Sequence, residues 1–230
     1  FAFNPYIFEQ RVDYLIDISQ ICFLNLNFYV LYKYFKSNGS FRLSIILGFT
    51  LGLLFLTKPT GILLLAFPYI YTFYLLLISA NLRIKKILNL IFFFATFIFT
   101  IWPWFSINWL TIITSIINSW QWGIKYQDGL EANTLQGIIF YPKTIINLIG
   151  PFIFGSIFTI YSLKIFNEFK NSKYKINYAN WLDKTNLFLF SLPINILFVC
   201  TLMSTKDLRF ILPIFPFLCV CLGLLITNFK

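Results

Sequence analysis

Seven long apolar segments separated by short charged turns leave this chain few folds to choose from. Crossing a hydrocarbon core of roughly 30 Å takes about 17 to 25 consecutive apolar residues. Runs of that kind lie near residues 17–35, 43–57, 60–80, 87–107, 146–166, 186–204 and 209–228. In hydrocarbon a backbone must satisfy its own N–H and C=O groups, which favours the helix. The expectation is an all-α fold, a polytopic transmembrane helical bundle with about seven spans in this stretch. Composition agrees, with 59% hydrophobic and 11% charged residues and a mean hydropathy of +0.78. Such a chain is too apolar to be kept in water as a folded surface. It does not open on Met and starts and stops beside apolar sequence, so it reads as an excerpt of a longer protein.

The division between residues 43 and 80 decides the parity of the bundle. Residues 43–57 cover only about 22 Å at 1.5 Å per residue, yet an unbroken segment from 43 to 80 would be too long for one span. Lys58-Pro59 is the natural turn, because proline lacks an N–H and biases the preceding residue away from helical dihedrals. Charge tests this division through the positive-inside rule. With seven spans one set of loops holds Lys33, Lys36, Arg42, Arg83, Lys85, Lys86, Lys164, Lys170, Lys173, Lys175, Lys184 and Lys230, twelve of the 18 cations, against only Glu168 and Asp183. The other set balances six cations with six acids. The whole excess of +10 therefore falls on one face, which is read as the inner one. The outer face then holds the segment from Phe1 to Leu15, Lys58, a loop over 108–145 and a turn over 205–209.

A net charge of +10 does not point to nucleic acid here, since the cations sit between spans rather than clustering on a polar or aromatic surface. The 30 Phe residues fit a codon bias better than a binding surface. Cys22, Cys200, Cys219 and Cys221 all lie in apolar runs and suggest neither a disulfide frame nor a metal knuckle. With no His in the chain, acid–base chemistry falls to eight carboxylates. Trp102, Trp104, Trp109, Trp120, Trp122, Tyr126 and Tyr141 are accounted for by an interfacial aromatic belt. The basic stretch from Asn167 to Thr185 looks like a tether.

Ionisable groups beside a span are costly to place, which makes them candidates for function. Asp17 is the deepest of the outer acids, following Glu9, Arg11 and Asp13 and standing at the mouth of the first span. Its plain alternative is a helix-dipole contact worth under about 1 kcal/mol. Lys58, in Leu56-Thr57-Lys58-Pro59-Thr60-Gly61, is either a snorkelling anchor or a cation for a lipid-linked phosphate. Arg209 abuts the last span and suits phosphate better than Lys206, because guanidinium binds it in a bidentate fork. Pairing with Asp207 is the alternative.

Several stretches taken together are similar to the class C glycosyltransferases, the membrane family that includes dolichyl-phosphate-mannose protein mannosyltransferases and bacterial aminoarabinose transferases. They are Tyr14-Leu15-Ile16-Asp17-Ile18, Gly48 through Gly61, Trp102-Pro103-Trp104 and Arg209-Phe210-Ile211-Leu212-Pro213. The resemblance covers most of residues 1–230 as one partial transmembrane domain, in which upstream spans and the first outer loop with its acidic pair would precede Phe1. It implies transfer of a sugar from a polyprenyl-phosphate donor to a lipid, glycan or protein acceptor outside the plasma (bacterial inner) membrane. The family's span-opening Asp maps onto Asp17 and its lysine turn onto Lys58.

In such a reaction Lys58 and Arg209 would neutralise the leaving phosphate, while Asp17 would act on the acceptor or help hold a divalent cation. No metal ligand set is assigned. The outer loop from Trp109 to Lys143, with Trp122, Tyr126, Asp128 and Glu131, would cover the site. Two other classes compete. A secondary transporter would show mid-span charges and repeated halves, neither of which is visible. A non-catalytic lipid-binding subunit would need no outer charges near lipid.

Overall fold

The computed structural model describes residues 15–78, 83–126, 134–150, 155, 158–159, 162–163, 166, 184–203 and 208–217. Among them every element is helical and no strand occurs. The helices are α1 (Leu15–Lys36), α2 (Phe41–Thr57), a 3₁₀ helix at Pro59–Leu65 running into α3 (Ala66–Ile78), α4 (Arg83–Tyr126), α5 (Leu135–Ile149), α6 (Lys184–Leu202) and a second 3₁₀ helix at Leu208–Ile214.

α1 stops where two residues take positive φ, Asn38 at 52° and Gly39 at 89°. The Gly39 N–H then donates to the Tyr34 carbonyl at 3.1 Å, a left-handed cap that satisfies an otherwise orphan acceptor. The reversal lays α2 antiparallel to α1. Asn27 fastens the pair: its amide donates to the Leu47 carbonyl (3.2 Å) and the Thr50 hydroxyl (2.9 Å), while its oxygen accepts from the Tyr69 hydroxyl of α3 at 2.8 Å. Asn27 is fully buried. One side chain thus joins three helices and has its own amide and carbonyl satisfied in an apolar interior.

α2 meets α4 through glycine. A Cβ at Gly48 would collide with the Phe93 carbonyl oxygen, and one at Gly52 would come within 2.7 Å of the Thr100 side chain. Gly48 and Gly52 face Thr96 and Thr100 with the same four-residue spacing, so the two backbones approach as closely as small residues permit. On the other side of the bundle α6 is held by rings. Phe188, fully buried, stacks on Phe28 and Phe35 of α1 at centroid distances of 4.8 and 5.1 Å.

Antiparallel connections sort the charges. The Lys36 ammonium donates to the Thr185 hydroxyl (2.7 Å), the Tyr71 hydroxyl to the Lys184 carbonyl (3.3 Å) and the Lys86 ammonium to the Leu76 carbonyl (3.0 Å). The Asn89 amide donates to the Gly39 carbonyl. The C-terminus of α1 and the N-termini of α4 and α6 therefore share one end of the bundle, and the Lys58 turn lies at the other.

Among the described residues two helices are long and apolar enough to cross a membrane, Pro59–Leu76 and Ile84–Thr114, while Phe41–Thr57 and Leu187–Leu202 are apolar but shorter. Three boundaries differ from the sequence expectation. The fourth segment does not end at its Trp-Pro-Trp: α4 runs 44 residues through Pro103 to Tyr126. A proline costs a helix one hydrogen bond and a local clash, which a long flanking helix absorbs more readily than irregular apolar backbone would be tolerated. The expected loop over 108–145 is accordingly helical for most of its length, with 127–133 outside the described residues. The fifth segment is broken instead, because Gly150 leaves α5 at φ 83° and ψ 140° and precedes Pro151, which disfavours helical dihedrals there. Tyr141, read as part of the aromatic belt, is fully buried and packs edge-on to Phe140 at 5.0 Å. The stretch read as a tether, Asn167 to Thr185, lies outside the described residues except at 184–185, as do the segment 1–14 and residues 218–230.

Candidate functional site

The candidate site grows from the turn between α2 and the first 3₁₀ helix. Lys58 is extended, at φ −159° and ψ 110°, as a residue before proline should be. Its N–H still donates to the Leu54 carbonyl at 3.1 Å to close α2, and its carbonyl accepts from the Gly61 N–H at 2.8 Å to open the 3₁₀ helix. Both backbone groups of the corner are therefore satisfied. The side chain projects half-buried, and its ammonium lies 4.9 Å from the ring centroid of Phe210. That is within cation–π range, an interaction of about 0.5–1 kcal/mol when exposed and about 2 when desolvated.

Phe210 belongs to the second 3₁₀ helix, directly after Arg209. The Phe210 carbonyl in turn accepts from the Cys200 thiol of α6 at 3.4 Å, which ties this helix to the end of α6. So the structure brings Lys58 beside the turn that carries Arg209, across about 150 residues of sequence. The Arg209 side chain itself lies outside the described set.

Gly61 joins the third candidate to the same end. A Cβ there would press on the Leu54 side chain at 2.9 Å and stand 3.4 Å from the Gln20 amide nitrogen, so the glycine lets the beginning of α1 close on the turn. Gln20 is one helical turn beyond Asp17. The α1 turn bearing Asp17 thus shares the end of the bundle with Lys58 and Phe210, although the Asp17 side chain, like that of Arg209, is outside the described set. Among the described residues no group of three or more His, Cys, Asp or Glu side chains comes together. A divalent cation therefore has no ligand set that the described side chains define.

Sequence reasoning missed Phe210 and Gln20. Phe210 was legible only as the neighbour of Arg209, and nothing in the linear order announced that its ring would sit over Lys58. Trp102, Trp104 and Trp109 are 60%, 42% and 48% exposed, so they face outward along α4 rather than into the bundle. Asp128 and Glu131 fall in the stretch outside the described residues.

Compared with family models, curated proteins and solved structures, the chain matches none.

Proposed function

We propose that this chain is the membrane-embedded part of a glycosyltransferase that takes a sugar from a polyprenyl-phosphate donor and passes it to an acceptor at the outer face. The supporting observation is the meeting of the Lys58 ammonium with the Arg209-bearing turn, at the bundle end where α1 begins with Asp17. Two cationic positions beside one apolar wall suit a ligand that is part phosphate and part hydrocarbon. In this reading all seven apolar segments are spans in a plasma membrane. The basic end that gathers Lys36, Lys86 and Lys184 is inside, and the Lys58 end is outside.

The reaction follows from these roles. The acceptor oxygen or nitrogen attacks the anomeric carbon, the bond from that carbon to the phosphate oxygen breaks, and the departing polyprenyl phosphate keeps the electron pair. Lys58 and Arg209 stabilise the charge that builds on that oxygen, and the Asp17 carboxylate takes the acceptor proton. Binding energy from the prenyl chain holds the donor while this occurs.

The test is turnover of a radiolabelled polyprenyl-phosphate sugar by membranes containing the full chain. Lys58→Ala and Arg209→Ala should each cut donor use by at least tenfold without loss of inserted protein, and Arg209→Lys should recover only part because the fork is lost. Wild-type donor affinity and turnover in both alanine variants would return the two residues to interfacial anchoring. Solute flux into vesicles without sugar transfer would make the protein a transporter, and neither activity would leave a lipid-binding subunit.

A further inference from the structure

α4 is too long and too neutral to be a simple span. It has 44 residues, about 66 Å at 1.5 Å per residue, against a hydrocarbon core of about 30 Å. No charged residue occurs between Lys86 and Lys125, a run of 38 positions and about 57 Å. Fitting that run into the core as a straight helix would need a tilt near 60°, beyond the roughly 0–40° found for membrane helices.

The residue pattern changes along the helix. From Ile84 to Ile107 most of the exposed residues are large and apolar, including Phe99 at 82% and Ile107 at 81% exposed. From Asn108 a polar stripe begins. Asn108, Thr111 and Thr114 fall on one side at helical spacing, and Trp109, Leu110, Ile113 and Ile117 fall on the other. Those four apolar residues are 48%, 59%, 45% and 51% exposed, so none of the described residues covers them. In sequence Asn118, Gln121 and Lys125 extend the polar side and Trp120 and Ile124 the apolar one, with Trp122 crossing to the polar side. Residues 84–107 are 24 positions, about 36 Å, which crosses the core at an ordinary tilt. Pro103 stands just before the change of pattern, at the one place where the helix has lost a backbone donor.

We infer that residues 108–125 are a surface helix that lies on the outer leaflet, with the bilayer interface as the occupant of its Trp109, Leu110, Ile113 and Ile117 face. Three observations select lipid. The apolar face continues directly from the spanning part of the same helix, it carries no charge for a polar partner to pair with, and its aromatic residues are of the interfacial kind. Thr111 and Thr114 look toward water, and the half-buried Asn108 beside the buried Ile112 borders the bundle. On this inference the otherwise continuous α4 bends between Pro103 and Asn108, in the turn where the proline has removed a backbone donor. The inference rests on the membrane reading of α4 but not on the proposed sugar transfer.

Single cysteines placed in the full chain, with Cys22, Cys200, Cys219 and Cys221 replaced by serine, test this in intact cells and in reconstituted vesicles. An impermeant maleimide should label Thr111→Cys and Thr114→Cys at least five times faster than Leu110→Cys, Ile113→Cys and Ile117→Cys. A bimane on the last three should be quenched by lipids brominated near the headgroup end of the acyl chain more than by lipids brominated near its terminus. Ile98→Cys is the control, protected and quenched most by the deep bromines; labelling there overturns the membrane reading itself. If Ile98→Cys behaves as expected, equal protection at all five outer positions makes α4 one oblique span, and equal labelling makes 108–125 a free helix. Protection of the apolar positions without bromine quenching means that a protein covers them. Any of these three results overturns the surface helix.

Discussion

The ammonium of Lys58 sits 4.9 Å from the centre of the Phe210 ring, so a corner between α2 and the first 3₁₀ helix is coupled to the opening of the second. In the proposed reaction Phe210 is a positioning residue, because its ring meets a cation whose own backbone is fully bonded. Phe210→Leu keeps most of the volume but loses the ring quadrupole, and should raise the KM for a polyprenyl-phosphate sugar about two- to thirtyfold, the equivalent of about 0.5–2 kcal/mol. Phe210→Tyr should stay near wild type. Equal KM values for the Leu and Tyr variants would show that the ring does not hold Lys58 for the donor.

Gly52→Ala and Gly48→Ala should both destabilise the contact of α2 with α4, by about 1–3 kcal/mol as overpacking does. They differ in whether they can be relieved. The obstacle at Gly52 is the Thr100 side chain, so Thr100→Gly should recover part of the loss in the double variant. At Gly48 it is the Phe93 carbonyl, which no side-chain change removes. Unfolding of the purified protein in mixed detergent micelles measures the two alanine variants, Thr100→Gly alone and the double variant.

Tyr69→Phe takes the hydroxyl away from the Asn27 oxygen and leaves that buried acceptor without this donor. The expected loss is about 0.5–2 kcal/mol, the range found for hydrogen bonds between membrane helices. Unchanged resistance to denaturing detergent would indicate that the three-helix junction is held by packing alone.

Topology is testable at Ser40 and Gln127. Ser40 precedes α2 without a side-chain capping bond, so a cysteine there disturbs little. An impermeant thiol reagent should label Gln127→Cys in intact cells and reach Ser40→Cys only after permeabilisation. The reverse pattern would invert the bundle.

The lengths of apolar runs and the turn residues made much of the local structure legible. Lys58-Pro59 had to leave the helix because proline dictates the dihedrals before it, and α1, α2 and α6 begin and end within about two residues of their expected limits. The pattern was less informative at Trp102-Pro103-Trp104, where a proline looked like a terminus but the surrounding helix carried through it. It was also less informative at Gly150, where an apolar run concealed a break.

What the sequence determined by itself is therefore helicity and the corner at Lys58, since each depends on residues adjacent in the chain. Only the tertiary structure decided that Gly48 and Gly52 face Thr96 and Thr100, that Asn27 joins three helices, and that Phe210 lies over Lys58. Those depend on how helices rotate and approach one another. That rotation is set by close packing among many side chains at once, a property no single segment carries.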